Sequence, residues 1–131
     1  MRKSETLRGH GVFRGVTNAG KRSDGTYLRS YTITTQSAEP SLAIGVTVYD
    51  RTLNAVQRNR IKRQLRASVD RERNRLFASV AGAGVTLQMV LGYRARGSTG
   101  KQHTPFVELH ADVARVIDGI ISRIRQQWPQ Q

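Results

Sequence analysis

The sequence predicts a single-domain α+β fold over residues 1–131, with the element order helix, strands, basic helix, strand, helix. Three observations support this prediction. A chain of 131 residues has the length of one domain. Segments with strand-like character occupy the first half, and apolar residues spaced three and four apart follow. Helices and strands in this order are typical of a small sheet covered by helices.

The N-terminal segment predicts a short helix followed by a turn. Within residues 8–18, Phe13 and Val16 stand three positions apart and share one side of a helix. Several glycines weaken this helix, since each costs about 1 kcal/mol relative to alanine in a helix interior. The triplet 23–25, Ser-Asp-Gly, is typical of a turn.

Three or four strands are expected in the sheet, of which three have a clear pattern. Residues 27–35 alternate between two faces, with Arg29 and Tyr31 on the same face. Residues 42–49 are nearly continuous in apolar and β-branched side chains, which favours a buried, central strand. Residues 85–93 have the same character and predict the strand that follows the long helix.

Helical periodicity begins near residue 53. Thr52 or Asn54 could cap this helix, which is expected to end in the mid-seventies, before the glycines of segment 81–84. Its apolar residues recur at spacings of four and seven and form one stripe: Ile61, Leu65, Val69 and Leu76.

The last helix runs from Phe106 to Trp128 and stops at Pro129. Its apolar stripe is expected to be core, with a surface for a partner helix as the alternative. Glu108 and Asp112 lie four residues apart on this helix and could hold a cation, although surface carboxylates at this spacing are common. They are the basis of one hypothesis, a metal-dependent nuclease acting alone. No metal site is predicted.

Charge indicates the class of partner. The net charge is +13 and the pI is about 11.5, so the chain is expected to bind polyanions, of which nucleic acid is the commonest. Residues 51–75 hold nine basic and two acidic side chains, more than half of the excess. With no cysteine, disulfides and thiolate metal sites are excluded. A polar N-terminus without a long apolar run predicts a soluble, cytoplasmic chain with no membrane partner.

The basic run 58–66 is the predicted nucleic-acid surface. At 100° per residue its cations can face solvent while the apolar stripe packs inward. Arginine suits bidentate contacts to phosphate, and asparagine can reach base edges or 2′-hydroxyls. A solvated helix face is the alternative. The candidate RNA contacts are Asn54, Arg58, Asn59, Arg60, Lys62, Arg63 and Arg66.

A second candidate surface combines aromatic and basic residues. Phe13 and Tyr31 lie near Arg14 and Arg29, and aromatic faces with nearby cations hold single strands without sequence preference. The alternative for Phe13 is that it simply belongs to the core.

The segment 54–66, Asn-Ala-Val-Gln-Arg-Asn-Arg-Ile-Lys-Arg-Gln-Leu-Arg, closely resembles the signature of the bacterial ribonuclease P protein subunit. The resemblance extends over roughly residues 5–125. Against the family pattern, Asp50 and Leu53 stand where lysine and glycine are usual, Ala67 replaces a glutamate, and Thr17 replaces an aromatic residue.

The resemblance implies an α-β sandwich with a left-handed βαβ crossover, like domain 2 of ribosomal protein S5. It also implies a single RNA-binding domain that binds a catalytic RNA and helps it to recognise precursor tRNA. The holoenzyme would remove the 5′ leader hydrolytically, with Mg²⁺ held chiefly by the RNA. No catalytic residue and no small-molecule cofactor are expected in the protein. The run 58–66 would contact the catalytic RNA.

A cleft between the first helix and the sheet would hold the leader, by the same resemblance. Its expected residues are Phe13, Arg14, Arg29 and Tyr31. The alternative function is a ribosomal or RNA-chaperone protein that shares the fold.

Overall fold

The computed structural model describes residues 7, 10–50, 52–94 and 106–128. Over these ranges the predicted α+β class and element order are confirmed. The elements are α1 (His10–Ala19), β1 (Lys21–Asp24), β2 (Leu28–Gln36), β3 (Ser41–Val48), α2 (Ala55–Ala83), β4 (Val85–Tyr93) and α3 (Phe106–Gln127).

The described strands form one sheet in the order β1-β2-β4-β3. β2 is antiparallel to both of its neighbours, and β3 is parallel to β4. Because α2 connects these two parallel neighbours, the expected βαβ unit is present. The left-handed crossover stays a prediction.

Helices cover both faces of the sheet, as in the predicted sandwich. α2 and α3 pack on one face and enclose the main core, in which Leu28, Leu65 and Ile117 are fully buried. α1 packs on the opposite face over a smaller cluster that contains Val16 and Val90. We call this second surface the α1 face.

The predicted central position of β3 is wrong, since this strand lies at the edge of the described sheet. Its continuous apolar character has another cause. Ile44 and Val46 pack in the core beneath α2, while Gly45 on the opposite side lies under the ring of Phe13. Both faces of the strand are therefore covered, although no further strand of the described residues pairs with its outer side.

The predicted turn at residues 23–25 is also wrong in part. Ser23 and Asp24 belong to β1, where they pair with Ser30 and Arg29 of β2. The chain reverses over the residues that follow, where Gly25 N donates to Leu28 O at 2.9 Å. β1 has no apolar alternation because it is a polar edge strand, so its sequence carries no strand signal.

α2 is longer than predicted and ends at Ala83 rather than in the mid-seventies. Its last turns bury Leu76 and Val80 in the main core, and this burial outweighs the cost of about 1 kcal/mol for Gly82. Gly84 ends the helix at φ 67°, a left-handed conformation that favours glycine. With 29 residues, α2 is about 43 Å long, at about 1.5 Å per residue.

Candidate RNA interface

The cationic side of α2 points away from the sheet, as its helical phase predicts. Ile61 and Leu65 are buried in the main core, which fixes the orientation of the helix. The side chains that are exposed within the basic run are Asn59, Arg60, Arg63 and Arg66. We call these four residues the basic face of α2. Three guanidinium groups over two turns of helix can contact successive phosphates of a nucleic acid.

Arg58 occupies a different environment from the basic face. Its Nη1 donates to the carbonyl oxygen of Asp50 and its Nη2 to that of Val48, both at 2.8 Å. These hydrogen bonds tie the first turn of α2 to the end of β3. Arg58 therefore has a clear structural role, and its contact with RNA stays a prediction.

Asn54 is the N-cap of α2, one of the two capping residues predicted. Its side-chain oxygen accepts from Gln57 N at 2.9 Å, and Gln57 Oε1 accepts from Asn54 N at 3.0 Å. This reciprocal pair is a capping box. The capping role by itself explains why an asparagine stands at this position. An RNA contact by Asn54 therefore also stays a prediction.

Replacing Asn54 with alanine is expected to lower the free energy of unfolding by about 1 kcal/mol, because the cap is lost. Asn54→Ser keeps a capping oxygen and should restore most of that stability. Urea unfolding measures the free energy of unfolding of both variants. Asn59→Ala is the matched control, since Asn59 is an exposed residue of the helix interior. Equal losses for Asn54→Ala and Asn59→Ala would contradict the capping role.

A cleft of ≈ 440 Å³ lies on the α1 face, between α1, β3, β4 and α2. Phe13 and Arg14 line it, as expected for the leader cleft, and Lys62 of α2 lines its opposite wall. Tyr31 and Arg29 do not line this cavity. They lie on β2 on the same face of the sheet, and Tyr31 packs with the cluster beneath α1.

Two glycines allow aromatic rings to lie directly against the sheet. A Cβ at Gly45 would stand 2.3 Å from Cζ of Phe13, and one at Gly92 would stand 2.0 Å from Cε2 of Tyr49. Any side chain at either position would displace the ring above it. The two rings line the cleft together with the apolar side chains of Val46 and Val90.

Tyr49 is one of the cleft residues that sequence reasoning missed. Its hydroxyl is buried and meets no hydrogen-bond partner with good geometry, although Thr17 lies nearby. Burial of the hydroxyl raises the pKa of Tyr49 above its ordinary value. The ring is therefore a neutral phenol at physiological pH. The alternation of Gly45 and Thr47 on β3, continued by Tyr49 directly after the strand, was the available signal.

The two carboxylates considered for a metal are engaged in other contacts. Asp112 is fully buried and accepts from Thr26 N at 2.8 Å, from Tyr27 N at 2.9 Å and from Arg115 at 3.0 Å. Glu108 accepts from the hydroxyl of Tyr27 at 3.1 Å. Across the described ranges, no three His, Cys, Asp or Glu side chains meet in a group that could hold a metal ion.

Within residues 10–50, 52–94 and 106–128, no helix combines the length and apolar character needed to cross a membrane.

The fold and its two surfaces define a class of protein. A sheet with an arginine-rich helix on one side and an aromatic cleft on the other has the features of an RNA-binding protein. The chain belongs to the ribonuclease P protein family, whose model, described as Ribonuclease P, matches residues 1–116. No curated protein matches the chain. Membership of this family implies an RNA partner and a role in a tRNA-processing endonuclease.

Solved structures of bacterial RNase P proteins have the same fold. The RNase P protein of Staphylococcus aureus is 15% identical, with a TM-score of 0.65 over 90% of this chain and 96% of that one. The RNase P protein of Thermotoga maritima is 19% identical, with a TM-score of 0.64 over 88% and 96% of the respective chains.

Proposed function

We propose that this chain is the protein subunit of a ribonuclease P ribonucleoprotein and that it binds two RNAs on two surfaces. The basic face of α2 binds the catalytic RNA, and the cleft on the α1 face binds the 5′ leader of precursor tRNA. The observation that carries the proposal is the separation of these surfaces. Arg60, Arg63 and Arg66 point to solvent, whereas Phe13 and Tyr49 face a cavity beside α1.

The two surfaces suit different tasks. Exposed arginines neutralise phosphates and position a structured RNA, without information on base sequence. Aromatic rings in a cleft stack on bases that are not paired, and a leader offers such bases. Lys62 and Arg14 on the cleft walls can contact the phosphates between them.

We assign the hydrolytic step to the RNA, with Mg²⁺ held chiefly by the RNA. Asp112 is the most buried carboxylate on α3, and its oxygens already accept from the backbone of the hairpin between β1 and β2. Its neighbour Glu108 is bound to Tyr27. The structural partners of both carboxylates support this assignment. Since its substrate would be newly transcribed tRNA, we place the protein in the cytoplasm.

Reconstitution with the cognate catalytic RNA tests the proposal. We expect the protein to stimulate cleavage of precursor tRNA at low Mg²⁺, because it contributes binding energy and positive charge that the RNA alone lacks. The rate of leader release is the measurement, and the same RNA without protein is the control. A cleavage rate unaffected by the protein would refute the proposal.

Competition between precursor and mature tRNA separates this function from that of a ribosomal or RNA-chaperone protein. A ribonuclease P subunit should favour the precursor in the reconstituted complex, because only the precursor carries a leader. Equal competition by the two RNAs would indicate a general RNA-binding protein.

A further inference from the structure

A cavity of ≈ 160 Å³ lies between α3 and the first residues of β1, and it shares no residue with the cleft or with the basic face of α2. We call it the α3 pocket. A water molecule occupies about 30 Å³ in the liquid, so the pocket has room for a group of several heavy atoms. No carboxylate of the described residues lines it. Its polar lining consists of two cations, two hydroxyl groups and one amide, from Lys21, Arg123, Thr32, Thr34 and Gln127.

The sheet beneath α3 changes from apolar to polar at this pocket. The side of β2 that faces α3 starts at Leu28, which is fully buried in the main core, and continues with Ser30, Thr32 and Thr34 at every second position. Ser30 and Thr32 are buried as well. Buried hydroxyl groups cost free energy unless they form hydrogen bonds. A row of them at core-facing positions therefore requires polar partners.

Arg123 of α3 lies against this row of hydroxyl groups. Its side chain is partly buried, its Nη1 donates to Oγ1 of Thr32 at 3.3 Å, and its Nη2 donates to Oγ of Ser23. Among the described residues these two hydroxyls are its partners, and no carboxylate pairs with it. A partly buried guanidinium group without an opposite charge is costly, and an anion in the α3 pocket would neutralise it.

The hydroxyl groups of the pocket can donate hydrogen bonds. Oγ1 of Thr32 accepts from Arg123, and Oγ1 of Thr34 accepts from Nε1 of Trp128 at 3.3 Å. Neither hydroxyl proton is used in a hydrogen bond among the described residues, so both remain for a ligand. The ammonium group of Lys21 adds further donors and no acceptor. Many donors and two positive charges favour an anion with several acceptor oxygens.

We propose that the α3 pocket binds a phosphate group. Arg123 and Lys21 supply the positive charge, and the hydroxyl groups of Thr32 and Thr34 donate to the phosphate oxygens. The site lies beneath α3, whereas the cleft lies beneath α1, and it goes beyond the proposed function. Two sources share this chemistry, a backbone phosphate of a bound RNA and a free phosphate ion.

The fluorescence of Trp128 tests the proposal. Trp128 is the one tryptophan of the chain, and its hydrogen bond to Thr34 makes it a local reporter of the pocket. Titration of the full chain with inorganic phosphate, at an ionic strength held constant with chloride, should give a saturating change. Arg123→Gln should weaken phosphate binding about tenfold or more, because hydrogen bonds between charged groups are strong. Lys21→Gln, at an exposed position, should weaken it about threefold.

Arg125→Gln is the matched control, since it makes the same change in charge at an exposed position of α3 outside the pocket. It should respond as wild type does. Glutamine at the three arginines of the basic face should also leave the response unchanged, which separates the pocket from phosphate bound on α2. Thermal unfolding without phosphate establishes that each variant is folded.

Two results would overturn the α3 pocket as a phosphate site. One is a fluorescence change that chloride alone reproduces. The other is a wild-type response from both Arg123→Gln and Lys21→Gln. If Arg123→Gln does not fold, Lys21→Gln decides the question, because an exposed side chain at the edge of the sheet can be replaced without loss of the fold.

Catalytic RNA distinguishes the two sources of phosphate. If an RNA backbone phosphate occupies the pocket, Trp128 in the reconstituted complex should no longer respond to added phosphate. Arg123→Gln should then reduce the salt slope of RNA binding by about 0.7–0.9. If the ligand is a free phosphate ion, the complex should keep the response and the wild-type slope. Because the titration uses the protein alone, its result is independent of whether the protein stimulates cleavage of precursor tRNA.

Discussion

Replacing Arg60, Arg63 and Arg66 together with glutamine is expected to weaken binding of the catalytic RNA by about 100-fold at about 0.15 M salt. These side chains are exposed, and the buried Ile61 and Leu65 fix the helix that carries them. Each lost phosphate contact should reduce the slope of log affinity against log salt by about 0.7–0.9. The slope of the triple variant should therefore be smaller than that of the wild type by about 2–3. Titration of labelled catalytic RNA at several salt concentrations measures both quantities.

The matched control is the triple lysine variant of the same positions. It keeps the charge and should keep most of the salt slope, while it loses the bidentate geometry of arginine. Neither variant should change the free energy of unfolding by much, since substitutions at exposed positions usually change it by less than about 0.5 kcal/mol. If the glutamine variant keeps the wild-type slope, the basic face is only a solvated surface.

Arg58 should differ from the basic face in both measurements. Its guanidinium group is bound to the carbonyl oxygens of Val48 and Asp50, so Arg58→Gln removes donors from two backbone acceptors. We attribute to it a loss of stability and a smaller change in salt slope than that of any residue on the basic face. Sequence reasoning grouped Arg58 with Lys62 and Arg66 because they share one side of the helix. Helical periodicity gives no information on contacts between a side chain of the helix and the strand that precedes it.

The sequence predicts those features of the fold that depend on local periodicity. The phase of α2 is confirmed because the spacing of Ile61 and Leu65 is set by helical geometry alone. The end of α2 was missed because burial of Val80 in the main core decides it. The edge position of β3 and the existence of β1 were missed because strand order and pairing are properties of the whole sheet.

The candidate site was predictable to a similar degree. Phe13 and Arg14 line the cleft as expected, because helix α1 presents both to the same side of the sheet. Tyr49 was missed although its strand was predicted. Its role depends on Gly92, forty-three residues away in sequence, whose missing side chain leaves room for the ring. Such a pairing follows from the parallel register of β3 and β4, which no local pattern specifies.

Asp112 is the position where one substitution is expected to destabilise the fold most. Its carboxylate accepts from two successive backbone N–H groups, those of Thr26 and Tyr27, and it is fully buried. A Cβ on Gly25 would stand 2.5 Å from its Oδ2, so the hairpin closes tightly around it. The side chain of Asp112 therefore joins α3 to the hairpin loop between β1 and β2.

Asp112→Ala should lower the free energy of unfolding by about 2–5 kcal/mol, since each buried donor left without a partner costs about 1–3 kcal/mol. Asp112→Asn should cost less, because the amide oxygen still accepts from one of the two donors. Urea unfolding is the measurement, and Asp118→Ala is the control. Asp118 is an exposed aspartate on α3 paired with Arg75, and its loss should cost under about 1 kcal/mol.

A loss for Asp112→Ala no larger than that for Asp118→Ala would contradict this structural role. The affinity of the variants for catalytic RNA adds a further distinction. The basic face lies on α2, away from the hairpin, so folded Asp112→Asn protein should bind the catalytic RNA as wild type does.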